Sequence, residues 1–276
     1  MARVRFGAGK GRREWSLKQD VNSGRWSRMK SLLKSFFYRF GYSITRVRPA
    51  ACPGGVASAG GGADVLRLLH AVNPYEGFPL QEYPEDLQGW GSESPAFEAL
   101  LVKVKPSRII EVGTWKGGSA IHMAGLVQKL GLSAKIVCVD TWLGAVEFWT
   151  DQSDPQRYQA LRCRHGYPTV YFQFLANVLH RGCENVIIPF PQTSTIAALW
   201  FRRFGITAEL IYIDGSHEEE DVYADLVSYW DLVAPGGILV GDDWGWDGVR
   251  LAATRFAREQ GLAVTQLEDK WYLAKP

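Results

Sequence analysis

Five short, nearly unbroken apolar runs constrain this chain more than any other feature. They are "RIIEVG" (108–113), "KIVCVD" (135–140), "VIIPF" (186–190), "AELIYID" (208–214) and "GGILVGDD" (236–243). Runs this short, apolar at successive positions, read as strands buried on both faces. Helical patterns separate them: "GGSAIHMAGLVQKLG", two stretches within 155–182, "TIAALWFRRFG" closed by Gly205, and "EEEDVYADLVSYWDLV" with acids in its first turn. "WDGVRLAATRFAREQG" is a further helix, and "LAVTQLEDKWYLAK" (262–275) reads as two short strands. The alternation predicts an α/β fold, a doubly wound, mostly parallel seven-stranded sheet with helices on both faces.

The N-terminal region is built differently. Residues 1–50 carry 13 Lys and Arg against Glu14 and Asp20, a charge of +11 within a chain whose net charge is only +2. Residues 1–24 are polar and basic and are expected to be mobile. From Trp26 to Phe40, apolar residues recur at helical spacing opposite Arg28, Lys30 and Lys34. That predicts an amphipathic helix with an aromatic face and a cationic rim, suited to an anionic membrane surface or to a partner protein. The apolar face argues against a nucleic-acid tail. The expected division is a basic arm over 1–50, a Gly-rich linker over 51–64 and a catalytic domain over 65–276. Cys52, Cys138, Cys163 and Cys183 form no CxxC motif, which fits a reducing compartment. No apolar run reaches the ~18 residues of a membrane span. A cytoplasmic protein is expected, peripheral at most, with the Arg-rich arm allowing an organelle transit peptide as the lesser reading.

Parallel sheets bind ligands beyond the carboxyl ends of their strands. Glu111, Gly113 and Gly117 form E-x-G-x-x-x-G rather than the G-x-G-x-x-G that cradles a pyrophosphate. An acid there repels phosphate and suits a ligand bearing an amino group and a sulfonium. Asp140, at the next strand end, is placed to accept hydrogen bonds from two ribose hydroxyls. Asp214, Asp242 and Asp243 close two further strands. Such carboxylates repel unless protonated or bridged, and an all-oxygen set suits Mg²⁺ or Ca²⁺. The structural alternatives are helix packing for the glycines, caps for Asp140, Asp242 and Asp243, and a turn at Asp214. Trp142, Trp149, Trp244 and Trp246 are candidates for an aromatic rim that stacks on sugar faces, with ordinary packing the more frequent role for any one of them. His217 is either a second base or substrate contact, or a helix-starting histidine bonded to backbone.

The stretches "IIEVGTWKGGSA", "IVCVDTW" and "LIYIDGSHEEEDVYADLVSYWDLVAPGGILVGDD" resemble class I S-adenosylmethionine-dependent methyltransferases, which have a Rossmann-like methyltransferase fold. More narrowly, they are similar to the macrocin and deoxysugar O-methyltransferases, with cephalosporin hydroxylase-like relatives. The resemblance spans about residues 95–275. It implies that Glu111, Gly113, Thr114, Trp115, Gly117 and Ser119 hold the methionine end of S-adenosylmethionine. It implies Asp140 and Thr141 for the ribose, and Gln192, Thr193 and Ser194 beside the adenine. It further implies a divalent cation, Mg²⁺ or another, on Asp214, Asp242 and Asp243, with Asp214 also catalytic as proton acceptor. The expected acceptor is a small molecule or glycan, a sugar or glycoside hydroxyl, in an enzyme that allows oligomers. The competing readings are an NAD-dependent oxidoreductase, a hydroxylase-like enzyme, and a non-catalytic membrane-tethered binding protein.

Overall fold

The computed structural model describes residues 2–7, 12–17, 64–151 and 153–276. The chain divides into two units, Met1–Ala57 and Ser58–Pro276. In the first, β1 (Ala2–Gly7) and β2 (Arg12–Leu17) pair antiparallel, with Ala2 opposite Leu17. The sequence reading expects no strand there. The alternation of Arg3, Val4, Arg5 and Phe6 is the period-two signal that its weight of charge obscures. The expected helix over 26–40 and the glycines of 51–63 lie outside the described residues. Among the described residues, no helix is long and apolar enough to cross a membrane.

The second unit opens with α1 (Val65–Leu69) and α2 (Ala96–Val104). Strands and helices then alternate as β3 (Arg108–Val112), α3 (Gly118–Lys129), β4 (Lys135–Asp140), α4 (Val146–Thr150), α5 (Pro155–Ala160) and α6 (Val170–His180). They continue with β5 (Ile187–Pro191), α7 (Ser194–Phe204), β6 (Ala208–Ile213), α8 (Glu219–Trp230), β7 (Val233–Gly241) and α9 (Asp247–Gln260). The short strands β8 (Thr265–Leu267) and β9 (Lys270–Ala274) finish the chain. The seven-stranded sheet has the order β5-β4-β3-β6-β7-β9-β8. β3 through β7 are parallel, and β9 and β8 run antiparallel to their neighbours.

Strand alternation explains the two cores. Ile110, Val112, Val137, Val139, Ile211, Ile213 and Leu239 face one side and pack with α1, α7, α8 and α9 through Val65, Phe201, Tyr229 and Phe256. Their chain neighbours Ile109, Ile136, Cys138, Leu210, Tyr212 and Ile238 face the other side and meet α2, α3 and α6 through Phe97, Met123 and Phe174. Each fully buried aromatic or branched side chain contributes about 1.5–3 kcal/mol. Gly205 and Gly261 end α7 and α9 in the left-handed conformation that glycine adopts without a Cβ penalty.

The chain runs outward from β3 to β5, then returns to β6 on the other side of β3. The loops after β3 and β6 therefore part from the same seam, the switch point at which a ligand crevice opens. They touch at its floor. A Cβ on Gly113, whose φ is +84°, would lie 1.9 Å from the Asp214 carbonyl oxygen.

Candidate active site

A cleft of about 730 Å³ opens over the carboxyl ends of β3 to β7. That is within the ~300–1,000 Å³ of ordinary small-molecule sites. Gly113, Thr114, Trp115 and Ser119 line it from the β3 side, Asp140 and Thr141 from β4, and Gln192 and Ser194 from β5. Asp214 and His217 follow β6, and Asp242 and Asp243 follow β7. Three of the cofactor-binding candidates do not line it. Glu111 lies beneath the floor, Gly117 packs against the Phe174 ring, and Thr193 caps α7 by accepting from the Ile196 N–H. At Gly117, helix packing explains the glycine.

Glu111 is completely buried and accepts hydrogen bonds from the Ser119 hydroxyl and, at 3.5 Å, from the Cys138 thiol. It braces the first turn of α3 from below. Burial pushes its carboxyl up to about 8, against the Ser119 and Cys138 hydrogen bonds that pull it down. The folded chain therefore binds a proton that the unfolded chain releases near its usual value of 4.5. Stability contributed by this group falls as pH rises from about 4.5 to about 8, then levels off. The Glu111→Gln variant, permanently neutral, is expected to gain on the wild type in melting temperature as pH rises from ~5 to ~8. Parallel thermal melts check this; a gap that stays constant or closes contradicts it.

Asp140 organises the loop after β3. Its Oδ2 accepts from the Thr114 N–H at 2.9 Å and the Trp115 N–H at 2.8 Å, and its Oδ1 accepts from the Trp142 N–H at 2.7 Å. Burial raises its carboxyl despite these bonds. A carboxylate offers about four acceptor sites. Backbone N–H groups take up most of them here, with the Thr141 N–H facing the carboxylate as well. Thr114 Oγ1, buried in the same wall beside the Cys138 thiol, makes no hydrogen bond of ordinary geometry.

On the β6 and β7 side, the Tyr212 hydroxyl lies 3.0 Å from Asp214 Oδ2 and 2.5 Å from Asp242 Oδ2, one hydrogen between two acids. Burial, then the charges of Asp242 and Asp243, hold the Asp214 carboxyl well above the ordinary range. His217 Nε2 lies 2.8 Å from Asp243 Oδ2, and its ring stacks on Trp246 at 4.5 Å. Its bond is thus to a carboxylate, not to backbone, and Asp243 raises its pKa.

The expected metal site does not fit this arrangement. Asp242 Oδ2 is paired with the Lys270 ammonium at 2.9 Å, its Oδ1 accepts the Asp243 N–H, and Asp243 Oδ2 is turned to His217. Among the described residues, no three carboxylates, histidines or cysteines gather to hold a metal ion. The sequence reading lacked Lys270, which stands 28 positions beyond Asp242 and reaches it only because β9 pairs with β7.

The four candidate tryptophans divide between packing and the cleft. Trp142 is 2% exposed, wedged against Tyr171 and Phe174, with its Nε1–H donated to the Trp115 carbonyl. Trp149 donates to the Leu143 carbonyl outside the lining, and Trp244 packs on Trp271. Trp246 does line the cleft, joined by Trp90, Trp115 and Phe148. Trp90 comes from 87–95, whose glycines and polar residues carry no periodicity to announce a wall. Asp225 was missed too. It is buried in the lining, and burial pushes its carboxyl up to about 6. The visible signal was an acid between Val222 and Leu226 on the buried face of α8.

Residues 110–244 match the family described as a methyltransferase domain. That stretch is similar to a methyltransferase domain. Its strand ends, β3 to β7, supply the cleft. A protein of Streptomyces olivaceus, 8-demethyl-8-(2,3-dimethoxy-alpha-L-rhamnosyl)-tetracenomycin-C 4'-O-methyltransferase, is 26% identical over 171 residues, 60% of this chain. The match spans 64% of that relative's length. Among solved structures, the calicheamicin methyltransferase CalS11 is 20% identical with a TM-score of 0.49, covering 79% of this chain and 99% of its own. The O-methyltransferase TomG of Streptomyces achromogenes, in complex with S-adenosylmethionine, is 15% identical with a TM-score of 0.47, covering 69% and 82%.

Proposed function

We propose that this methyltransferase domain moves a methyl group from S-adenosylmethionine to a hydroxyl of a sugar or glycoside. The observation that carries this reading is the two-sided cleft. Asp140 and Thr114 stand on the β3–β4 side, and Asp214 stands across the seam. Bound S-adenosylmethionine would supply an electrophilic methyl on a positively charged sulfur. Asp140, at the end of β4, would hold a ribose hydroxyl. Gln192 and Ser194, beyond β5, would border the base. Gly113 and Trp115, which line the same wall, would border the donor.

Asp214 is the proton acceptor in this reading. It takes the acceptor hydroxyl's proton as that oxygen gains the methyl group and the sulfur keeps the electron pair of the broken bond. Burial, and then the charges of Asp242 and Asp243, make the Asp214 carboxylate a stronger base than an ordinary aspartate. Trp90, Phe148 and Trp246 offer faces on which apolar sugar surfaces stack. The rhamnosyl acceptor in the name of the S. olivaceus relative agrees with a sugar hydroxyl.

The test is incubation of the full chain with methyl-labelled donor and a panel of deoxyhexosides and glycosylated aromatics. The expected product carries the label and gains one CH2. Asp214→Asn is expected to lower turnover by about 10²–10⁴-fold with donor affinity retained. Products that gain oxygen, or reduced nicotinamide formed with the same panel, would overturn the proposal in favour of the hydroxylase-like or oxidoreductase reading.

A further inference from the structure

We infer that this chain carries its own cation at the acid cluster, the Lys270 ammonium, and that methyl transfer needs no divalent metal. The inference rests on the methyltransferase reading only for its activity arm. Lys270 opens β9 and is completely buried. Its Nζ lies 2.9 Å from Asp242 Oδ2, 3.6 Å from Asp269 Oδ2 and 3.4 Å from both the Tyr212 hydroxyl and the Gly91 carbonyl. The Phe97 and Tyr212 rings stand at 4.9 and 5.3 Å, so aromatic faces enclose the charge. Four oxygen acceptors and two ring faces thus surround the ammonium.

A buried lysine is costly unless paired, and this one is paired with the carboxylate that a divalent ion would need. Tyr212 extends the arrangement. Its hydroxyl sits between Asp242 and Asp214, so the ammonium fixes Asp242, Asp242 engages Tyr212, and Tyr212 positions Asp214 at the cleft. A divalent ion arriving at Asp242 Oδ2 would meet a fixed positive charge within 2.9 Å of its ligand atom. Lys270 is therefore a positioning residue that both neutralises the cluster and bars a second cation from it. The third acid, Asp243, is held away by His217.

Manganese binding, read by electron paramagnetic resonance on the full chain, tests this without reference to turnover. The wild type is expected to leave Mn²⁺ free at micromolar concentrations, and labelled-methyl transfer is expected to be unchanged by excess chelator. Lys270→Gln removes the charge while leaving the acids, and is expected to tighten Mn²⁺ binding at least tenfold; a merely structural role would not produce that gain. Lys270→Arg keeps a cation and is expected to stay silent toward Mn²⁺. Stoichiometric Mn²⁺ binding by the wild type that is lost in Asp242→Asn would overturn the inference. So would transfer abolished by chelator and restored by Mg²⁺, or a folded Lys270→Gln variant with no gain. If Lys270→Gln does not fold, the wild-type titration decides alone. Absence of transfer to any acceptor would count against the methyltransferase reading, while the Mn²⁺ result would still stand or fall separately.

Discussion

Gly113→Ala is expected to destabilise the domain by about 4 kcal/mol or more, enough to lower its melting temperature by roughly 8–16 °C. Two costs combine. An alanine held at a φ of +84° is strained by about 1–2 kcal/mol on conformation alone. Its Cβ would also sit 1.9 Å from the Asp214 carbonyl oxygen and 2.7 Å from the Gly215 Cα, both backbone atoms that no rotamer change can move. Relief requires β3 and β6 to part at the seam where the Gly113 N–H bonds the Val139 carbonyl and the Asp214 N–H bonds the Val112 carbonyl. Gly236→Ala is the matched control. Its φ is +74° but nothing lies within 4 Å of the added carbon, so only the conformational cost should appear. Thermal denaturation of the two variants side by side checks the prediction; equal losses would show that the close approach is not real.

Asp140→Ala is expected to weaken binding of S-adenosylhomocysteine by about 100-fold, equivalent to ~2.7 kcal/mol. The side chain does two things at once. It accepts the Thr114, Trp115 and Trp142 N–H groups, which fixes the loop after β3, and it lines the cleft where a ligand hydroxyl would sit. Alanine removes both, leaving three donors to water. Asp140→Asn retains one carbonyl oxygen and is expected to fall between alanine and the wild type. Calorimetric affinities rank the three proteins; an alanine variant that binds like the wild type would place the ribose elsewhere.

The sheet could be read from the sequence because both of its faces are buried. Strands such as Lys135–Asp140 present apolar residues at every interior position, and helices as regular as Glu219–Trp230 carry their own period. The strand-end acids could be read for the same reason, since a charged residue closing an apolar run has few structural explanations. What the sequence hid depends on partners far along the chain. Asp214 and Asp242 draw attention, but whether they hold a metal depends on Lys270, which sits in a short strand of unremarkable pattern. Glu111 was read as facing the ligand because its place at the strand end was visible and its orientation was not; burial in "RIIEV" turns it under the floor. Trp142 likewise follows a strand end, yet packs inward against Tyr171 and Phe174 because a bulky ring beside α6 is better buried than exposed. The 87–95 wall precedes the alternating pattern, so its part in the cleft comes only from the folded arrangement.

The central claim is that the crevice between the β3 and β6 loops takes a sulfonium donor. Isothermal titration of the wild-type chain with S-adenosylhomocysteine, and in parallel with NAD, tests it most directly. Saturable one-to-one binding of the homocysteine nucleoside with no heat from NAD is the outcome predicted. Binding of NAD alone, or of neither, would contradict it.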